Sequence, residues 1–321
     1  MSTVTELAPT TVEERRSDWT AALTARLADY LELSKPRIAV MVLITVAVGF
    51  LVGQQGSWGL EAVSLTKLFH AWVGIAVVAA GSSALNQWWE QHTDACMRRT
   101  MSRPLPSGRL ASGEVLGLGL VAAATGSLYL AWQVNGLTAA LTAMTFVLYA
   151  GIYTPLKRWT SLCTAVGAIP GAMPPVLGWV AAGQPLDWSA FALFALMFVW
   201  QFPHFLAIAW LYQDDYANAG LRMLPGVRPS RGVTGLMATA YAIGLIPVSL
   251  MPAWCGLAGG WYSVTAIVCG LAYAFASAGF AYRESRASAR WVLWISLVYL
   301  PLLLIVLAGD HMRLLHTPLA R

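Results

Sequence analysis

Nine stretches of this chain are apolar for long enough to cross a bilayer, which takes roughly 20 mostly apolar residues in a helix. They fall at 37–53, 67–89, 112–133, 136–153, 161–182, 187–211, 232–254, 260–281 and 290–309. The links 134–135 and 183–186 are very short and almost uncharged, so the helices they join are antiparallel neighbours. Small residues and prolines interrupt several spans, as in GSSALNQ, GAIPGAMPP and WQFPHF. Such sites let helices approach closely or leave carbonyls free near a cavity. The pattern predicts an all-α polytopic membrane protein of about nine transmembrane helices around a cavity.

Polar positions between the spans orient the bundle. Of the 20 Lys and Arg residues, all but Lys67, Arg313 and Arg321 lie in the N-terminal segment or in loops on its side of the membrane. Positive loops stay cytoplasmic, which places the N-terminus inside and, with nine spans, the C-terminus outside. The expected division is a cytoplasmic tail at 1–36, one transmembrane domain at 37–309 and an external tail at 310–321. The N-terminal MSTVTELAPTTVEERRSDWT has no apolar signal core, and Glu6, Glu13, Glu14 and Asp18 disfavour a transit peptide. It reads as a short tail leading into an amphipathic segment. With the charge asymmetry, this points to a cell inner (plasma) membrane.

Composition agrees. Hydrophobic residues make up 58% of the chain and charged ones 11%, against about 25% charged in a soluble domain. The 15 Trp suit interfacial belts. Despite a net charge of +5, no stretch interleaves basic and exposed aromatic residues as a nucleic-acid face would. Cys96, Cys163, Cys255 and Cys269 form neither a disulfide framework nor a zinc pattern and read as packing residues.

Chemistry gathers at the cytoplasmic ends of spans two and six. Asn86, Glu90 and Asp94 recur every fourth residue, and residues four apart share a helix face. Stacked carboxylates repel, and burying them is costly unless a positive group lies between them. A hard divalent cation, Mg²⁺, is the natural candidate, since it binds carboxylates and shares them with a substrate phosphate; a solvated helix end is the plain alternative. Arg98, Arg99, Arg103 and Arg109 follow in the same loop and Lys157 and Arg158 in the next. Guanidinium groups match phosphate geometry, although part of this set serves topology alone. Asp214 and Asp215 end span six, with Asn218 and Arg222 behind them, as a second metal–phosphate lobe. The two loops, WWEQHTDACMRRTMSRPLPSGR and LYQDDYANAGLRMLPGVRPSR, also echo each other as a parallel repeat would. Together they suggest a diphosphate on a lipid tail. His204, behind Pro203 inside an apolar span, is either a substrate contact or a histidine that satisfies a kink. Tyr153 and Thr154 either orient the diphosphate or belong to the interface.

NQWWEQHTDACMRRTMSRPLPSGR resembles the first signature of the UbiA-type intramembrane prenyltransferases. With SKPRI at 34–38, YTPLKRWT, GAIPGAMPPVLGW, WQFPHFLAIAW and DDYANAGLRMLP, it is similar to the branch of that family that farnesylates protohaem IX. The resemblance covers roughly 34–230. Glu90 stands where the family's NxxxDxxxD motif has its middle Asp, and Asn218 where a second-loop carboxylate would be. The resemblance implies transfer of farnesyl from farnesyl diphosphate to a haem vinyl group, with water added, giving haem O; haem b is then a substrate and not a cofactor. It implies Mg²⁺ at Asn86, Glu90, Asp94, Asp214 and Asp215, with Asn86, Glu90, Asp94 and Asp215 catalytic. It implies substrate contacts from Arg98, Arg99, Arg103, Tyr153, Lys157, Arg158 and His204. The partners it implies are the bilayer and a downstream haem-processing enzyme. An aromatic quinone precursor as acceptor is the alternative enzyme reading, and a lipid or haem transporter the alternative class.

Overall fold

The structure is a computed structural model that describes residues 12–54, 62–221 and 232–316; all of its regular elements are helical. They are α1 (Val12–Ser34), α2 (Pro36–Val52), α3 (Ala62–Ala95), α4 (Ser112–Gln133), α5 (Gly136–Phe146) with a π-helical continuation Val147–Tyr153, and α6 (Thr154–Leu156). Then follow α7 (Cys163–Ala181), α8 (Trp188–Leu211), α9 (Gln213–Asn218), α10 (Val233–Trp254), α11 (Gly260–Tyr282) and α12 (Arg286–His316). Eight helical stretches are long and apolar enough to span a bilayer, and α1 with α2, bent by 49°, make a ninth. Eight of the spans read from hydropathy are these stretches, and the first, 37–53, is α2, which reaches spanning length only together with α1.

Local chemistry explains the ends. Asp187 accepts hydrogen bonds from the backbone N–H of Ser189 and Ala190, both at 3.0 Å, and Asn135 accepts from Thr138 N–H at 2.7 Å; each satisfies orphan donors at a helix start. Lys35 breaks α1 from α2 with φ at 50°, a left-handed conformation uncommon outside glycine. Segment 12–34, expected as a tail leading into an amphipathic segment, is helix throughout. Segment 310–316, expected in the external tail, continues α12. Asp310 is buried there because its Oδ2 accepts from the N–H groups of Gly259 and Tyr262 at 2.7 and 3.1 Å, capping α11.

The bundle is built around α7, the most buried span at 72%. Its glycines make that possible. A Cβ on Gly178 would stand 2.0 Å from the carbonyl oxygen of Val46, and one on Gly49 1.9 Å from that of Pro175. Backbone therefore meets backbone where α2 crosses α7, the close approach that small residues permit within membranes. Aliphatic and aromatic side chains on the outer faces, such as Leu128, Trp132, Phe275 and Ile305, are exposed, as lipid contact requires.

Candidate active site

The extra length of α3 carries Asn86, Glu90 and Asp94 on one face past the apolar part of the helix. Asn86 and Asp94 are buried. Each member of the row is met by a basic group from a different segment. Lys35 Nζ donates to Asn86 Oδ1 at 2.7 Å, Lys157 Nζ to Glu90 Oε1 at 2.7 Å, and Arg103 to Asp94 Oδ2 at 2.6 Å. The positive charge expected between the acids is thus supplied by side chains. Asp94 Oδ1 is buried with no hydrogen-bond partner. That orphan oxygen, with Glu90 and the Asn86 carbonyl on the same face, is a donor set of the hard-oxygen type that suits Mg²⁺.

The π-helical stretch brings in the opposite wall. Its wider turn lets Thr154 Oγ1 donate to Tyr149 O at 2.8 Å, five residues back, while accepting from Asn86 Nδ2 at 3.2 Å. π-Helical turns of this kind recur at functional sites. The same stretch aims Tyr153 under Lys157, whose ammonium lies 4.5 Å from the ring centroid. Burial alone would depress the Lys157 ammonium; Glu90, then Tyr153 and Tyr149, outweighs it and holds the group well above its ordinary pKa. It stays charged.

Below this polar row lies an apolar cavity of about 340 Å³ between α2, α3, α5, α7 and α8. Lys35, Tyr149 and Tyr153 stand at its polar end, and Ile75, Val78, Pro174 and Leu177 line its depth. On the other side of Lys35 a second hollow, about 550 Å³, opens at the elbow of α1 and α2 with Arg37, Gln87 and Arg103 in its wall.

The remaining candidates divide. Arg99 lies 5.1 Å over the ring of Tyr212, which ties the first loop to the start of α9. Arg158 donates to Trp89 O at 2.9 Å, and Arg109 pairs with Asp29 and Glu32 on α1 at 2.8 and 3.0 Å. Arg98 is exposed. Asp214 is exposed and Asp215 half-buried on α9, and among the described residues no three acids, histidines or cysteines converge as a metal cluster. Arg222, Arg228 and Arg231 lie outside the described residues. His204 faces away from the cavity: its Nδ1 is 2.7 Å from Ser296 Oγ on α12 and its ring stacks on Trp200. Two side chains that sequence reasoning did not single out belong with the site. Lys35 had counted only as a topology charge within SKPRI, and Gln201 had a visible signal, an amide inside the apolar WQFPHF.

An apolar chamber among the spans with Lys35, Tyr149 and Tyr153 at its polar end, and carboxylates paired with cations next to them, is the kind of site an intramembrane enzyme offers a ligand with a greasy tail and an anionic head. The sequence profile described as the UbiA prenyltransferase family matches residues 42–300, and this chain belongs to that family. It is 44% identical over 281 residues to a protoheme IX farnesyltransferase of Solibacter usitatus, covering 86% of this chain and 96% of that protein. It is 45% identical to one of Koribacter versatilis, covering 89% and 94%. Among solved structures, the fold resembles a digeranylgeranylglyceryl phosphate synthase (TM-score 0.72, 17% identity, 90% of this chain and 99% of that one). It also resembles a UbiA homologue from Archaeoglobus fulgidus bound to DMAPP and Mg²⁺ (TM-score 0.60, 19% identity, 88% and 99%).

Proposed function

We propose that this protein transfers the farnesyl group of farnesyl diphosphate to a vinyl group of protohaem IX, with addition of water, releasing diphosphate and haem O. The observation that carries the reading is the row Asn86, Glu90, Asp94 interleaved with Lys35, Lys157 and Arg103 at the mouth of an apolar cavity. The relatives named above supply the acceptor class.

In this reading the diphosphate lies among Lys35, Arg103 and Lys157, with Arg99 at the rim, and the prenyl tail enters the cavity. Fixed cations at the leaving oxygens stabilise the charge that develops as the C1–O bond breaks, at a position water cannot screen. Tyr153 and Thr154 shape the wall next to C1. Mg²⁺ would be held by Asn86, Glu90 and Asp94, and from the second loop by Asp214 and Asp215. Bound there, it supplies further neutralisation of the leaving group. The haem vinyl carbon attacks C1, and water quenches the resulting cation next to the pyrrole. The chamber brings two sparingly soluble reactants together and restricts water until that last step. We also place the polar row at the cytoplasmic face of a cell membrane, on the charge asymmetry of the loops.

The test is incubation of the purified protein in detergent with labelled farnesyl diphosphate, Mg²⁺ and haem. A farnesylated, hydrated haem is expected. Transfer only to a quinone precursor, or no transfer with intact fold, would overturn the reading.

A further inference from the structure

The apolar cavity carries a few polar side chains, from α3, α5 and α8, for which the prenyl chain has no use. Gln201 is buried in the middle of α8 with both amide hydrogens committed: Nε2 donates to Ala168 O at 3.1 Å and to Met197 O at 2.9 Å. Turning the carboxamide over would set Oε1 against two carbonyl oxygens, so its orientation is fixed by what each atom can do. Oε1 receives no hydrogen bond from the described residues and stands beside Gly171, where a Cβ would lie 2.1 Å from it. Gln201 and Gly171 both line the cavity. Of the lining hydroxyls, which also include those of Ser83, Tyr149 and Tyr153, those of Ser82, Thr142 and Thr145 donate to carbonyls of their own helices at 2.9, 2.7 and 2.7 Å. These three too offer lone pairs only. A hydrocarbon chain cannot answer an acceptor, whereas a water molecule can.

The place is also right. Gly167 packs against the ring of Tyr153, and Gly171 against Gln201. These glycines are one turn apart on α7, about 6 Å along its axis. The carboxamide oxygen therefore sits one turn deeper than the ring that lies under Lys157, next to where C1 of the prenyl group and its new bond would be.

We infer that Gln201 is the positioning residue for the water that ends the reaction, an inference that rests on the function proposed above. When farnesyl C1 has bonded to the outer vinyl carbon, the inner vinyl carbon is electron-deficient. A water donating one hydrogen to Gln201 Oε1 keeps a lone pair free to form the C–O bond. Its surplus proton passes to the departed diphosphate, so the protein ends unchanged. Without a positioned water, the adjacent CH₂ loses a proton to the same base and an alkene forms, lighter than the alcohol by one water.

The experiment is a mass-spectrometric product analysis under single-turnover conditions in heavy-oxygen water, with wild type, Gln201→Met and Gly171→Ala. Methionine keeps the length and removes the acceptor; alanine at 171 keeps the acceptor and displaces it. The wild type is expected to give labelled alcohol, and both variants to shift the alcohol-to-alkene ratio at least about tenfold toward alkene. The ratio is internal to the product, so a lowered folded fraction does not move it. An unchanged ratio in both variants overturns the role of Gln201. A wild type that makes no farnesylated haem overturns the functional reading, and this inference with it.

Discussion

Lys157 and Glu90, separated by 67 residues, meet at 2.7 Å with both side chains nearly buried. The contact joins α3 to the end of α6 and fixes a carboxylate and an ammonium on one side of the cavity mouth. Breaking a buried pair from one side leaves an uncompensated charge, at about 3–5 kcal/mol. Lys157→Met should therefore lower thermal stability and transfer together. Glu90→Gln strands the Lys157 ammonium beside a neutral amide, so it should lower the melting temperature as well, and its folded fraction should lose roughly 100-fold in kcat if leaving-group stabilisation is worth several kcal/mol. Glu90→Asp should fall between. Transfer rates across a Mg²⁺ titration check the series, and full activity in Glu90→Gln would remove this residue from the site.

Arg103 makes a different prediction, because it holds the oxygen of Asp94 that is not orphaned. Arg103→Ala should destabilise the substrate-free protein by about 3 kcal/mol. Mg²⁺ with a non-hydrolysable farnesyl diphosphate analogue should recover part of that loss, since a cation at Asp94 replaces the missing charge. Arg103→Lys should do better without ligand, but bind the diphosphate less well than arginine. Melting curves with and without ligand decide it. A ligand-induced shift no larger in Arg103→Ala than in wild type would mean that no bound cation makes up for Arg103 beside Asp94.

Much of this site was legible because periodicity is a local property. The fourfold spacing of Asn86, Glu90 and Asp94 follows from helix geometry alone, and the nine spans follow from hydropathy. The basic partner of Asn86, Glu90 or Asp94 was not legible. Lys35, Arg103 and Lys157 come from three other segments, and which cation reaches which member of the row depends on how helices cross. The same limit applies to His204. Its span is apolar on all sides, so nothing in the sequence fixes the rotation of α8, and the face carrying Gln201 and Phe205 turned out to line the cavity. Asp310 read as the first residue of a tail because a charge usually ends a span; here it caps α11 instead.

The α2–α7 crossing makes a packing prediction. Gly178→Ala puts a methyl carbon 2.0 Å from a backbone oxygen, which no rotamer change relieves. It should cost about 1–3 kcal/mol or more, whereas Gly113→Ala, with nothing within 4 Å, should be neutral or mildly stabilising. Parallel thermal unfolding of the two variants in detergent checks this. Equal melting temperatures would refute the close approach.

Orientation can be read with one native cysteine and one introduced. Cys96 is exposed in the loop after α3, and Leu186, in the link between α7 and α8, is 55% exposed. In intact cells, an impermeant thiol reagent should modify Leu186→Cys and spare Cys96, while a permeant reagent modifies both. The reverse pattern would invert the bundle and place the polar row outside.

His204 offers the last prediction, because its geometry separates two roles that a histidine inside an apolar span can play. As a pin between α8 and α12, it acts through Ser296 Oγ at 2.7 Å and through the stacked Trp200, whose Nε1 donates to Ser296 O at 3.1 Å. Residues sharing one contact couple in a double-mutant cycle. His204→Ala and Ser296→Ala should each destabilise the protein by about 1–2 kcal/mol, and the double variant by clearly less than their sum. Farnesyl diphosphate affinity should stay unchanged in all three, since His204 does not line the cavity. A histidine that ligates haem iron behaves otherwise: its loss would change the absorption spectrum of bound haem, and Ser296→Ala would not reproduce the change. Additive stabilities together with a spectral change confined to His204→Ala would return this residue to the substrate site.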